Sequence, residues 1–256
     1  MRYAIQWIRS LLFNIQMYVV MILMAIYFTP PAIFSLKWAY AGIHTYCRWV
    51  RWTASWMIGL KSEVRGNVPD GEVLIASKHQ NFFDILMIVS VVPKPKFIMK
   101  YSIKYTPIVG WYGKRIGCVP VKRGQRSKAI RNMMAMVQDG SAPAGQLIIY
   151  PQGTRVAWDG YRPYKIGINV LYQETGQMVV PVSTNVGVFW PRLGVYRKPG
   201  KAILEFHEPI AQGMEKDAFM EHLETVVENN SIALMQEVGA DPTEGIKSAK
   251  MALKHK

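Results

Sequence analysis

The stretch Val73-Leu74-Ile75-Ala76-Ser77-Lys78-His79-Gln80-Asn81-Phe82-Phe83-Asp84 is a short apolar run that stops at a cluster of polar groups. A second apolar run, residues 85–92, follows at once. The first run suits a buried strand, and the second is too apolar for a surface loop. His79 and Asp84 therefore stand where a strand leaves a core. Such a place holds functional groups still while exposing them. Imidazole titrates near neutrality and can take a proton from an alcohol. A carboxylate beside it can fix one tautomer and stabilise the imidazolium that forms. The pair needs no serine or cysteine if the nucleophile is a hydroxyl of the substrate. Taken alone, a structural histidine is the simpler reading of this spacing.

Outward from this stretch, the chain alternates. Strand-like runs cover residues 73–77, 97–99, 118–121, 147–150, 178–183 and 202–206, and helix-like stretches cover 84–91, 107–115, 127–138 and 167–174. Residues 214–238 read as one or two amphipathic helices, and a further helix is expected after Asp241. This alternation predicts an α/β domain with a mixed, mainly parallel sheet flanked by helices.

The N-terminal part differs. Residues 11–28 are apolar apart from Asn14 and Gln16, and Thr29-Pro30-Pro31 is expected to break the run. At about 1.5 Å per residue the run just spans a bilayer core. No small-residue cleavage site follows it, which argues against a signal peptide. In residues 32–60 a helix would put Lys37, His44, Arg48, Arg51 and Ser55 on one face and Trp38, Trp49, Trp52 and Trp56 on an adjacent one. Cations beside tryptophans suit the headgroup layer of an anionic membrane. The alternative is a helix packed on its own domain. The division expected is a two-helix membrane anchor over 1–60 and an α/β catalytic domain over 61–256.

Charge points the same way. The 256 residues hold 31 Lys and Arg against 17 Asp and Glu, a net charge of +14, with a mean hydropathy of +0.05. An anionic partner is implied. Residues 1–60 contain no acid, and neither does the interval between Asp84 and Asp139, which holds cations from Lys94 to Arg131. The two cysteines, Cys47 and Cys118, read as reduced thiols of a cytosol-facing protein. Neither they nor the scattered His44, His207, His222 and His255 have metal-ligand spacing, so no metal site is expected.

Three further stretches carry chemistry. Tyr150-Pro151-Gln152-Gly153-Thr154-Arg155 is a strand end turning into a loop. It offers backbone amides, a hydroxyl and a guanidinium suited to phosphate; an ordinary turn with a surface arginine is the bland alternative. Gly117 to Gly124 is a short strand that delivers Lys122 and Arg123, and Lys100 ends another strand in the same way. Val180-Pro181-Val182-Ser183 reads as a strand start shaping a pocket wall.

In this order and at these separations, the four stretches resemble the glycerolipid acyltransferases, specifically the 1-acyl-sn-glycerol-3-phosphate acyltransferases. His79 and Asp84 match the family's His-x4-Asp block. Gly117 to Arg123 loosely match its Gly-x-Ile-Phe-Ile-x-Arg strand, Tyr150 to Arg155 its Phe-Pro-Glu-Gly-Thr-Arg block, and Val180 to Ser183 its Val-Pro-Val strand. A two-helix N-terminal anchor is also typical of bacterial members. The resemblance implies transfer of an acyl chain from acyl-CoA or acyl-carrier protein to the sn-2 hydroxyl of lysophosphatidic acid, giving phosphatidic acid without a cofactor. It implies a cell inner membrane location with the catalytic domain facing the cytoplasm.

On that reading His79 is the base and Asp84 orients it. Lys100, Arg123 and Arg155, with the amides around Gly153 and Thr154, hold the phosphate. The Lys94–Arg131 surface receives the carrier protein or the coenzyme phosphates. Gln152 departs from the family's usual glutamate. Its amide can contact substrate but cannot act as a base, which leaves His79 in that role. Three other readings compete. One is a related acyltransferase with another acceptor, such as a lyso-ornithine lipid. Another is a hydrolase that uses the same pair on water. The third is a membrane-bound nucleic-acid binder with Tyr101, Tyr105, Trp111 and Tyr112 among its cations. The expectation is no nucleic-acid partner.

Overall fold

The computed structural model describes residues 2–121, 131, 135–136, 139 and 143–254. The chain opens with a helical hairpin, α1 (Arg2–Phe34) followed by α2 (Leu36–Met57). The turn lies four residues beyond the expected proline break. Pro30 and Pro31 fall in the last turn of α1, and the helix stops only at Ser35, whose backbone is extended. Proline's fixed φ suits a helix, but neither ring has an N–H to give the carbonyls of Ile26 and Tyr27, so α1 goes without two of its bonds close to where it stops.

α1 is long and apolar enough, by length and composition, to cross a membrane. Its two faces differ. Ile8, Leu12, Ile15, Val19, Ile22 and Ile26 are exposed, whereas Gln6, Ser10, Phe13 and Met17 are buried at helical spacing. The polar interruptions in the apolar run have partners here. Asn14 Nδ2 donates to the Val195 carbonyl, and Gln16 Nε2 donates to Thr53 Oγ1.

Next come β1 (Leu60–Arg65), β2 (Leu74–Ser77), α3 (Phe83–Val91), β3 (Pro95–Lys100) and a 3₁₀ segment, Tyr101–Tyr105. They lead into α4 (Val109–Arg115), β4 (Val119–Val121), β5 (Gln146–Ile149), α5 (Gly167–Thr175) and β6 (Val179–Thr184). The chain closes with β7 (Gly200–Phe206), α6 (Lys216–Glu237) and α7 (Thr243–Lys254). The expected helix over 127–138 falls largely outside the described residues. Residues 214–238 hold a single helix, α6.

The sheet order is β1-β7-β6-β2-β5-β3-β4. Every neighbouring pair is parallel except β6 and β7. This is the mixed, mainly parallel sheet the alternation predicts. β2 lies in the middle, buried along its whole length, as its unbroken apolar run requires. Side-chain alternation divides the core. Ile75, Ile148, Val180, Val182 and Leu204 face one side with Phe13, Met17, Val50, Ala54, Leu86 and Met87 from the first three helices. Leu74, Ala76, Leu147, Ile149 and Val179 face the other, under Ile168, Leu171, Leu223 and Val227. α1 and α2 thus share a core with the sheet. Val180 to Ser183 is wholly buried mid-sheet rather than a pocket wall.

Candidate active site

β2 and β5 are parallel neighbours with Ala76 opposite Ile149. The residues beyond their ends, His79 and Tyr150, therefore emerge side by side. The chain turns sharply after β2, and three short bonds fix the turn. Asp84 Oδ2 accepts the backbone N–H groups of Gln80 at 2.8 Å and Asn81 at 2.9 Å, and Asn81 Oδ1 accepts that of Phe83 at 2.7 Å. Asp84 sits in the first turn of α3, where a negative charge suits the helix dipole.

The rest of that carboxylate serves His79. Nδ1 of the ring lies 3.0 Å from Asp84 Oδ1 and 3.2 Å from Oδ2. Asp84 is fully buried, while the His79 side chain keeps 14% of its surface open. With Nδ1–H donated to the carboxylate, Nε2 keeps its lone pair for an incoming hydroxyl.

The downstream loop is locked to this centre. The Tyr150 ring stacks on His79, with centroids 4.0 Å apart and planes at 20°. Its hydroxyl donates to Asp84 Oδ1 at 3.4 Å, and burial, reinforced by Asp84, pushes that phenol well above its ordinary pKa. Val156 N–H donates to the His79 carbonyl at 2.8 Å, closing the loop over the histidine backbone. Between these ties, Gly153 turns with φ +67°, a conformation that favours glycine, and its N–H returns to the Tyr150 carbonyl at 2.8 Å. The loop holds Thr154 and Arg155 half-buried beside the histidine strand, and Arg155 Nη1 donates to the Arg192 carbonyl at 3.4 Å.

The other expected residues vary in position. Lys100 is exposed at the end of β3, beyond the last pairing of that strand with β5, and lies opposite Val121 of β4. Arg123 lies outside the described residues. Gln152 is buried and points away from solvent. Its Nε2 donates to Glu228 Oε1 and to the Arg162 carbonyl, both at 3.3 Å, so it contacts the interior.

On α2, Trp38, Trp49, Trp52 and Trp56 are exposed. The neighbouring arginines turn toward the domain. Arg48 Nε donates to the Ser90 carbonyl, and Arg51 donates to Ser62 Oγ at 2.9 Å and Ser90 Oγ at 2.7 Å. With His44 on the Val92 carbonyl at 3.0 Å, they cap the end of α3.

Sequence reasoning missed two supports. Tyr150 was visible only as the first letter of a motif; the strand register is what puts its ring on His79. Trp190 stacks on Phe83 at 5.0 Å, accepts Asn81 Nδ2 on its carbonyl at 2.6 Å and meets Phe13 of α1 edge-on at 5.7 Å. No local pattern in the sequence announces it.

A histidine held by a carboxylate at a strand end, beside a glycine turn with an arginine, suits group transfer to a hydroxyl. A family model described as Acyltransferase matches residues 61–185, the segment that holds this constellation. The chain is 25% identical over 160 residues to a 1-acyl-sn-glycerol-3-phosphate acyltransferase of Pseudomonas aeruginosa, covering 62% of each chain. It is also 26% identical over 138 residues to a lyso-ornithine lipid O-acyltransferase of the same species, covering 53% of this chain and 52% of that one. The match thus spans less than two thirds of either relative. The fold matches the crystal structure of the 1-acyl-sn-glycerophosphate acyltransferase PlsC of Thermotoga maritima. The TM-score is 0.77 at 21% identity, over 91% of this chain and 99% of that one.

Proposed function

We propose that the chain is an O-acyltransferase that moves an acyl group from a thioester donor, acyl-CoA or acyl-carrier protein, to the sn-2 hydroxyl of 1-acyl-glycerol-3-phosphate. The observation that carries this reading is His79, held at Nδ1 by buried Asp84 and open at Nε2. His79 Nε2 takes the acceptor's hydroxyl proton as the oxygen attacks the thioester carbonyl. The tetrahedral intermediate expels the donor's thiolate, which takes the proton back from the imidazolium. No acyl-enzyme forms, and no metal or cofactor is needed, because the acceptor supplies the nucleophile and binding both substrates supplies proximity. Thr154, Arg155, the amides around Gly153, and Lys100 at the end of β3 hold the phosphate, and Arg123 is a further cation for it by its position in the sequence.

The exposed apolar face of α1 and the exposed tryptophans of α2 support attachment to a membrane surface. We place the catalytic domain on the cytoplasmic side of the inner membrane, where thioester donors are made. A lyso-ornithine lipid acceptor is the second reading, favoured by the likeness to that named relative. An acyl-transfer assay with labelled acyl-CoA and acyl-carrier protein, phosphorylated and unphosphorylated lyso-lipids, and His79→Ala as control tests both. Transfer to lysophosphatidic acid that falls about 10²–10⁴-fold in the variant is expected. Near-wild-type transfer by the variant would sink the mechanism, and preference for the ornithine lipid would replace the acceptor.

A further inference from the structure

Lys78 immediately precedes His79, yet its side chain goes to the opposite face of the sheet. There it is completely buried, and Nζ donates to Glu228 Oε2 of α6 at 2.5 Å; the Glu228 side chain is 6% exposed. The other oxygen, Oε1, accepts from the Tyr164 hydroxyl at 3.1 Å and from Gln152 Nε2 at 3.3 Å. Gln152 Oε1 is buried and has no hydrogen-bond partner among the described residues.

Four buried polar side chains thus meet behind the catalytic turn. A buried ion pair adds little net stability, because desolvation offsets most of the attraction. Its geometry is what distinguishes this one. Glu228 grips the residue before His79 with one oxygen, and with the other it grips the residue before Gly153-Thr154-Arg155. A single carboxylate therefore sets the spacing between the base and the loop. A glutamate at 152 would face Glu228 at hydrogen-bond distance, and two carboxylates there repel. An amide at 152 donates instead, at the expense of one orphaned oxygen.

We propose that Glu228 is a positioning residue for His79 and for the Gly153–Arg155 turn, and that positions 152 and 228 form an exchange pair holding one buried carboxylate. The positioning role rests on the acyltransferase reading above; the exchange does not. The test is a double-mutant cycle of Gln152→Glu and Glu228→Gln, read by thermal unfolding and by steady-state acyl transfer.

Gln152→Glu alone should lower the melting temperature by about 5 °C or more, and should raise it when added to Glu228→Gln. The same sign in both backgrounds overturns the exchange pair. If Glu228→Gln does not fold, folding of the double variant is the rescue itself, and failure of both overturns the pair. Glu228→Gln should lower kcat about tenfold, with the double variant recovering to within about threefold. Tyr164→Phe, which removes one neutral donor, should lower kcat about threefold with little change in the donor's KM. Unchanged kcat in Tyr164→Phe, or in folded Glu228→Gln, overturns the positioning role. If the wild-type chain transfers no acyl group, the acyltransferase reading fails, and the melting cycle still judges the exchange.

Discussion

Tyr150 lies flat on His79 and touches the same carboxylate. The two rings are 4.0 Å apart, and the phenol reaches Asp84 Oδ1 at 3.4 Å. The tyrosine therefore presses the imidazole into place and helps hold the group that orients it. Tyr150→Phe keeps the stack and loses a long hydrogen bond, so kcat should fall about two- to tenfold. Tyr150→Ala frees the ring to rotate and should cost about a hundredfold or more. Equal rates for the two variants would mean that the stack contributes nothing.

Asp84→Asn tests the tautomer. An amide can present its N–H groups to Nδ1 and drive the proton to Nε2, where it blocks the base. A loss of about 10³–10⁴-fold in kcat is expected, with acceptor KM little changed. The same substitution disturbs the turn bonds to Gln80 and Asn81, so circular dichroism should accompany the kinetics. A rate within tenfold of wild type in a folded variant would remove Asp84 from the proposed mechanism.

Arg155→Ala separates phosphate binding from chemistry. The guanidinium has one long bond to a backbone carbonyl and no carboxylate within salt-bridge distance among the described residues, so it is available to an anion. Acceptor KM should rise about ten- to a hundredfold for a phosphorylated lyso-lipid and stay put for an uncharged one. An equal rise for both would disprove the phosphate assignment.

Much of this site was legible beforehand, for identifiable reasons. β2, β5 and β6 are continuous apolar runs because both their faces are covered, so they stand out in the sequence. β1 was missed because Leu60-Lys61-Ser62-Glu63-Val64-Arg65 is an edge strand whose charges pair in solvent, with Glu63 bound to Arg65 and Lys201. Spacing carried the histidine and aspartate, whose contact is local. The contacts of Tyr150 with His79, Gln152 with Glu228, and Trp190 with Phe83 depend on strand order and on helices far along the chain, which no periodicity encodes. Arg48 and Arg51 fell on the expected face of α2; whether that face met lipid or protein depended on where Ser62 and Ser90 lay.

Phe13 links the first helix to the catalytic turn through Trp190 and Phe83. It is completely buried. Phe13→Ala should destabilise the protein by about 3–5 kcal/mol, while binding to anionic vesicles, which the proposed membrane attachment assigns to the outer face of α1, should persist. A variant that unfolds like wild type but no longer binds vesicles would show the helix to be an independent tether.

Acid should weaken the fold through two histidines. Burial lowers the pKa of His44, and it lowers that of His207 despite the opposing charge of Glu205. A depressed folded pKa means that the unfolded chain binds more protons between the folded value and about 6.5. Stability is therefore complete above about pH 6.5 and declines as pH falls through that window. Thermal melts from pH 8 to about pH 5 should show the decline, and His44→Gln with His207→Gln should flatten it. An unaltered profile in that double variant would assign the effect to other groups.

The polar ties of α1 have a practical side. Gln6 donates to the carbonyls of Ile58 and Arg197, and Ser10 accepts the N–H of Arg197. One face of the helix is apolar and exposed, and the other is tied to the protein's own loop. A detergent must coat the first without peeling away the second. Mild, bulky surfactants should extract an active protein, whereas small ionic ones would strip the helix, uncover Trp190 and inactivate the protein before the sheet unfolds. Removing residues 1–60 to obtain a water-soluble fragment would leave Ile75, Ile148 and Val180 without their cover on that side.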